Sequence, residues 1–288
     1  MTESDFPPLY HAADNASKKA QKKFLWALGG NLTLLVVAAA MSVANVQTSF
    51  FALLQMGPLV GALLLTLYLA VMRPQRIWYG TRALAESVKT VSWRYVMRAE
   101  PFTRDEISDR DHFKDSLIDI FTTNTNISAH AVTMTSGSQI TQEMTRVRNL
   151  SLQQRIDLYE AERVEDQQAW YNGKARLNQR SSTLWFSGLI LMNLLALGFA
   201  AAKIAHPTVN YWPTDILVAA AASVMAWIQT KRFQELAASY TLTAHEIGLL
   251  RIALPNPPTT DKFSKYVGDA ENAFSREHTQ WQARRDVD

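Results

Sequence analysis

The side chains here that could act on a substrate are few and scattered. Six histidines, His11, His112, His130, His206, His245 and His278, stand without the spacing that gathers metal ligands. Cysteine is absent, which excludes a disulfide framework and thiolate-bound metal and suits a polar portion held in a reducing compartment. There is no GxGxxG after a strand, no GxxxxGK[ST], no HExxH and no GxSxG. One acidic run, Glu160, Glu162, Glu165 and Asp166, could pose as a catalytic cluster. Arg155 and Arg163 interleave with it, and mixed charges of this kind form a solvated helix face, the reading preferred here. No catalytic residue, no metal and no cofactor is therefore expected, and no enzymatic activity.

The other polar candidates lie inside long apolar stretches: Asn31, Gln55, Ser187, Asn193 and Ser223. In lipid such groups hydrogen-bond across helix interfaces or line a wet path, and the first role is the commoner. Gly57 and Gly61 make a GxxxG pair, and Ala219 with Ser223 makes a similar small-residue face, both favouring close helix contact. No acid or base lies mid-span, which argues against a proton-coupled transporter or an intramembrane enzyme.

The elements that hold these residues follow from hydropathy. The chain has 288 residues and a net charge of only +3, too weak to point to nucleic acid. Its apolar residues are segregated into blocks at about 25–46, 50–72, 184–202 and 212–228. A helix of roughly 20 apolar residues crosses the hydrocarbon layer, so each is read as a span. The last is the weakest, because it opens on Pro213 and Asp215 and carries the alanine run Ala219 to Ala222. Of the 29 Lys and Arg, only Lys203 falls in either of the two hairpin loops, Gln47 to Ser49 and Lys203 to Tyr211. Lys18, Lys19, Lys22 and Lys23 precede the first block, Arg73 and Arg76 follow the second, Lys174, Arg176 and Arg180 precede the third, and Lys231 and Arg232 follow the fourth. The positive-inside rule then places both termini and the middle segment in the cytoplasm. Trp26, Trp78, Trp185, Tyr211, Trp212 and Trp227 stand near span ends as an aromatic belt would. A cleaved leader is not expected, since the polar segment before Leu25 is long and partly acidic.

The expected fold is all-α, an integral membrane protein with four transmembrane helices in two hairpins and long cytosolic helical extensions. Residues 1–121 form a first two-span module whose cytosolic helix, at about 74–98, carries the stripe Ile77, Leu84, Val88, Val91 and Tyr95. Arg82 with Glu86, and Glu86 with Lys89, are spaced to pair along it. Residues 122–142, rich in Thr, Ser and Asn, read as a linker. Residues 143–288 form a second module with a helix at about 143–183 that runs into the third span. Ile156, Tyr159, Val164, Gln167, Trp170 and Tyr171 give that helix one face, and Phe233, Leu236, Tyr240, His245 and Leu249 on the helix after the fourth span are expected to meet it. A last helix is expected from Asp261 to Arg285, after Pro255, Pro257 and Pro258. Arg82, Lys89 and Arg94 offer charges to a phosphate, or pair with neighbouring helices, the commoner role.

Three stretches carry a resemblance: Trp78, Tyr79, Arg82, Glu86, Lys89, Trp93, Arg94 and Tyr95; then Arg163, Asp166, Gln167, Trp170 and Tyr171; then Glu277, His278 and Trp281. With their surroundings they resemble SLATT-domain proteins, bacterial two-transmembrane effector modules found beside nucleotide second-messenger synthases and nucleotide-sensing domains, here as two modules in tandem. The resemblance implies a homo-oligomeric pore-forming effector of the bacterial inner membrane that acts in antiphage or abortive-infection defence. Its implied partners are the lipid bilayer, further copies of the chain, and a nucleotide second messenger or sensor protein upstream. The alternative is a membrane-anchored scaffold or receptor whose cytosolic helices recruit a partner without forming a pore.

Overall fold

A computed structural model describes residues 1–44, 48–123, 137–209, 211–254 and 257–285, with side chains up to Ser275. Among these residues the structure is helical throughout, without a strand. Helix α1 (Pro8–Val43) opens on a proline, whose fixed φ and missing N–H suit a first helical position. Helix α2 (Ser49–Met72) is capped by Thr48, whose hydroxyl accepts from the Phe51 amide at 3.2 Å. It ends on Arg73 in the left-handed conformation (φ 41°), and α3 (Pro74–Val96) starts at once on Pro74. Then follow α4 (Glu106–Thr123), α5 (Gln142–Arg148), α6 (Leu152–Tyr159), a π-helical turn (Glu160–Glu165) and α7 (Asp166–Ala205). Helix α8 (Thr214–Lys231) ends, like α2, on a left-handed arginine, Arg232 (φ 50°), before α9 (Phe233–Ile252) and α10 (Thr260–Arg285).

The chain divides into two compact units. The apolar one comprises Lys22–Pro74 and Ala175–Ala238. Leu53, Leu63, Leu64, Leu184, Ile190, Leu194 and Leu197 are each more than half exposed on it, a surface that lipid can solvate and water cannot. Among the described residues three helices are long and apolar enough to cross a membrane: α1, α2, and the continuous helix Leu152–Ala205 made by α6, the π turn and α7. The chain is a membrane protein. The expected count of four spans is reduced here to three clear ones. Helix α8 has 18 residues, about 27 Å of rise against a hydrocarbon layer of about 30 Å, with Asp215 in its first turn and Lys231 in its last.

Within this unit Asn31 donates to the Ala62 carbonyl (3.0 Å) and to the Thr66 hydroxyl (2.6 Å), joining α1 to α2. A Cβ on Gly61 would stand 3.0 Å from Leu34, so that glycine marks the close approach of the same two helices. Replacing Asn31 by Leu is expected to loosen this pair by about 0.6 kcal/mol, with roughly 1.7 as a ceiling. Reversible unfolding of the variant in mixed micelles checks it, and an unchanged midpoint would count against the hydrogen bonds as glue. Trp185 and Trp227 lie 6.3 Å apart on α7 and α8.

The polar unit comprises Met1–Gln21, Gln75–Lys174 and Ser239–Asp288. Its core gathers Leu84, Val88, Trp93 and Tyr95 from α3, Phe113 from α4, Ile156 and Tyr159 from α6, and Phe263 and Val267 from α10. Of the α3 stripe, Leu84, Val88 and Tyr95 pack into the core as their spacing predicts, whereas Val91 and Ile77 are half-buried and Ile77 lies outside the core cluster. The long helix expected from about 143 does not run unbroken. Asn149, Leu150 and Ser151 separate α5 from α6, because Ser151 and Gln154 form a capping box that starts a new helix. The face expected of α9 is also corrected. Tyr240 packs against Trp170 and Tyr171, but His245 is exposed and Leu249 is 67% exposed. At 100° per residue, Tyr240, Ala244 and Ile247 share one side, and the two missed residues fall on the other. The part of the expected linker at 124–136 lies outside the described residues.

Candidate functional site

Two helical registers meet at the π turn, and a buried charge pair sits on it. Glu160–Glu165 accommodates one residue more per turn than an α-helix, a distortion concentrated at functional sites. It keeps Tyr159, Arg163, Val164 and, further on, Tyr171 all directed into the core. Arg163, 2% exposed, forks onto Glu271 of α10: Nε to Oε1 at 2.8 Å and Nη2 to Oε2 at 2.7 Å. The Tyr159 hydroxyl donates to the same carboxylate at 3.0 Å. The guanidinium carbon stands 4.7 Å from the Phe274 ring centre and 6.0 Å from that of Trp93.

Burial alone would weaken the charge on Arg163, but the Glu271 carboxylate outweighs it and raises the guanidinium above its ordinary range. Tyr159 is likewise pushed well above the usual phenol range, by burial first and by Glu271 second. Arg163 is therefore charged, and the phenol neutral, throughout physiological pH. On the outer side of the turn Glu160 accepts from the Tyr266 hydroxyl at 2.5 Å, and Glu165 pairs with Arg251 of α9 at 2.5 Å. The arrangement is a clamp that ties the π turn to α9 and α10.

The acidic run is thus only partly a solvated face. Glu162, Glu165 and Asp166 are exposed, whereas Arg155 and Arg163 are buried, because the helix here has partners on more than one side. Among the other residues singled out from sequence, Trp93 and Tyr95 are core, and Trp78 stacks on Tyr79 at 4.6 Å. Arg82 pairs with Glu86 (2.6 Å) and Asp14 (3.7 Å). The Lys89 ammonium stands 5.8 Å from the Phe6 ring, and Arg94 donates to Asn272 at 2.7 Å. All three cations weighed as phosphate contacts are engaged within the fold. Gln167 is half-buried, Trp170 more exposed. The side chains of Glu277, His278 and Trp281 lie outside the described residues.

In the apolar unit the expected polar set does not converge. Ser223 reaches the Leu32 carbonyl at 3.5 Å, with Ala219 half-buried one turn before it. Asn193 is exposed and bonds back to Leu189 of its own helix at 2.8 Å, Ser187 is exposed, and Gln55 makes no side-chain hydrogen bond among the described residues. Of the GxxxG pair, Gly57 has open space where a Cβ would go and Gly61 stands at the α1–α2 contact, where Gly30 of α1 also comes close, a Cβ there lying 3.2 Å from Leu65. Among the described residues no three His, Asp or Glu side chains converge as metal ligands. Glu271, the centre of the clamp, had no signal in the sequence beyond its place in an otherwise ordinary polar helix. Arg163 had one: it is a cation on the same side as Ile156 and Tyr159.

No curated protein and no solved structure matches the chain. Family comparison is informative: residues 7–156 match "SMODS and SLOG-associating 2TM effector domain 3", and residues 159–281 match "SMODS and SLOG-associating 2TM effector domain 1". The junction between the two matches falls in α6, just before the π turn. The two left-handed arginines, each closing an apolar helix and opening a second one, repeat once in each match. With apolar helices, an all-helical polar unit and two consecutive matches that cover nearly its whole length, this chain belongs to the SLATT family as two tandem SLATT domains.

Proposed function

We propose that the chain is a bacterial inner-membrane effector that oligomerises and permeabilises the membrane in antiphage or abortive-infection defence, gated by an upstream nucleotide signal or sensor protein. The observation that carries this reading is the match of both halves to effector domains on a chain whose apolar unit turns leucine-rich faces outward. In it α8 is the fourth span, paired with α7, and the lysines and arginines flanking the spans keep both termini cytoplasmic. One chain supplies too few helices to enclose a wide aqueous path, so the open state is a homo-oligomer. Coupling runs along the helix from Leu152 to Ala205, which contributes residues to both units.

The test is dye entry. Induced expression in bacteria, with the upstream signal present, is expected to admit a membrane-impermeant DNA dye before growth stops. An intact barrier in cells that make the protein and receive the signal removes the pore from the proposal. A scaffold without a pore is the second reading, favoured by Leu242, Leu249 and Ile252, which leave an apolar stripe on the outside of α9 in the polar unit. It predicts a stoichiometric partner lost on changing Leu249 to Glu, and no conductance in planar bilayers.

A further inference from the structure

Three guanidinium groups gather where α3 ends. Arg148 donates to the Tyr95 carbonyl and pairs with the buried carboxylate of Asp109. Arg155 donates to the Met97 carbonyl. Arg98 itself takes the left-handed conformation (φ 53°) and reaches the Asn149 side chain at 3.4 Å. Two of the three thus bond carbonyls at the C-terminal end of α3, that of Tyr95, which also accepts from the Arg98 amide at 3.2 Å, and that of Met97 just past the helix, which accounts for part of their placement.

It accounts for one edge of Arg155 and not for its buried charge. Only 5% of this residue is exposed, it forms no ion pair among the described residues, and its Nε has no acceptor. Burial, then Arg98, then Arg148, pull its guanidinium down to about 10, and no carboxylate acts on it in the opposite sense. Arg163 in the same unit also leaves one nitrogen, Nη1, without an acceptor, but its charge is held by the Glu271 carboxylate and two rings, whereas Arg155 has no ion pair among the described residues. Folded proteins rarely bury a cation unpaired and still more rarely crowd it with like charges. Asp109 pairs with Arg148, which leaves the buried Arg155 and the exposed Arg98 without an ion pair among the described residues.

We propose that Arg98, Arg148 and Arg155 form the binding site of a phosphoryl group. A phosphate carries up to two negative charges, which matches the excess, and its tetrahedral oxygens accept from several guanidinium edges at once, where a carboxylate offers one flat pair. Arg155 supplies the buried edge and Arg98 the exposed one. The phosphoryl group belongs to a soluble phosphate ester or to a phospholipid headgroup, two sources of one chemistry. The site does not depend on the chain forming a pore, since binding is read without conduction.

The experiment uses the full chain in nanodiscs of zwitterionic lipid, with inorganic pyrophosphate titrated at constant ionic strength and thermal unfolding recorded. The expected result is a saturable rise in the unfolding temperature. Arg155→Gln and Arg98→Gln are each expected to weaken the half-saturating concentration by roughly tenfold, the loss of one charge-assisted hydrogen bond. Arg98 is exposed, so its variant folds even if the Arg155 variant does not. A parallel series contains increasing phosphatidic acid and no pyrophosphate. A rise that follows phosphatidic acid alone and is lost in Arg98→Gln supports the site and assigns it to a headgroup. The proposal is overturned if neither additive raises the temperature, if sodium chloride matches the effect, or if Arg98→Gln responds like the unaltered chain.

Discussion

Replacing Glu271 by Leu destabilises the polar unit by about 3–5 kcal/mol, a large part of what an ordinary domain has to lose. The change strands Arg163 as a charge in the core: its fork loses both acceptors, and Tyr159 loses its own. Restoring neutrality with Arg163→Met in the same chain is expected to recover most of the loss, because apolar groups of similar volume replace a buried pair at little cost or with a gain. Tryptophan fluorescence during thermal unfolding reads both variants, Trp93 lying against the site. Equal instability of the double variant would mean that the carboxylate acts through shape and not through charge.

If the π turn gates the proposed pore, deleting Ala161 is expected to permeabilise the membrane without a signal. Ala161 is exposed on the π turn, and removing one residue there returns the helix to α register. Each residue of an α-helix advances about 1.5 Å and turns about 100°, so Ile156 and Tyr159 can no longer face the same side as Tyr171. One of the two sets must leave its packing, and the helix that begins at Leu152 carries the change to Ala205. On the gating reading, dye entry without a trigger rises on the order of tenfold, within the span of ordinary allosteric couplings. Hydrogen exchange over residues 152–171 shows whether the turn has altered. Altered exchange with an intact barrier would falsify the π turn as a gate and leave the pore reading standing on its own test.

Both predictions concern features that periodicity cannot reveal. From Leu152 to Ala205 the sequence reads as plain helix, and it is one helix. The extra residue of the π turn is invisible because no residue type demands it; it arises where Tyr159 and Arg163 must meet Glu271, more than 100 positions away. Helix α4 has no counterpart in the sequence reading either, since its apolar residues are too few to make a stripe, yet it supplies Phe113 and Asp109 to the core. The pairing of Arg82 with Glu86 was legible, being local to one helix. The role of Gly57 was not, because a GxxxG motif says that a helix can be approached, and only the neighbour decides at which glycine.

By itself the sequence determined the solvent of each segment and the course of the backbone within it. Uncharged stretches of lipid-spanning length, cations kept to their flanks, and helix-ending prolines and caps are local properties, and local properties are written in order along the chain. Tertiary structure alone decided which charges are buried. The free energy of an arginine in a core depends on what stands opposite it, so Arg163 with Glu271 and Arg155 with no carboxylate look alike in the sequence and differ completely in the fold.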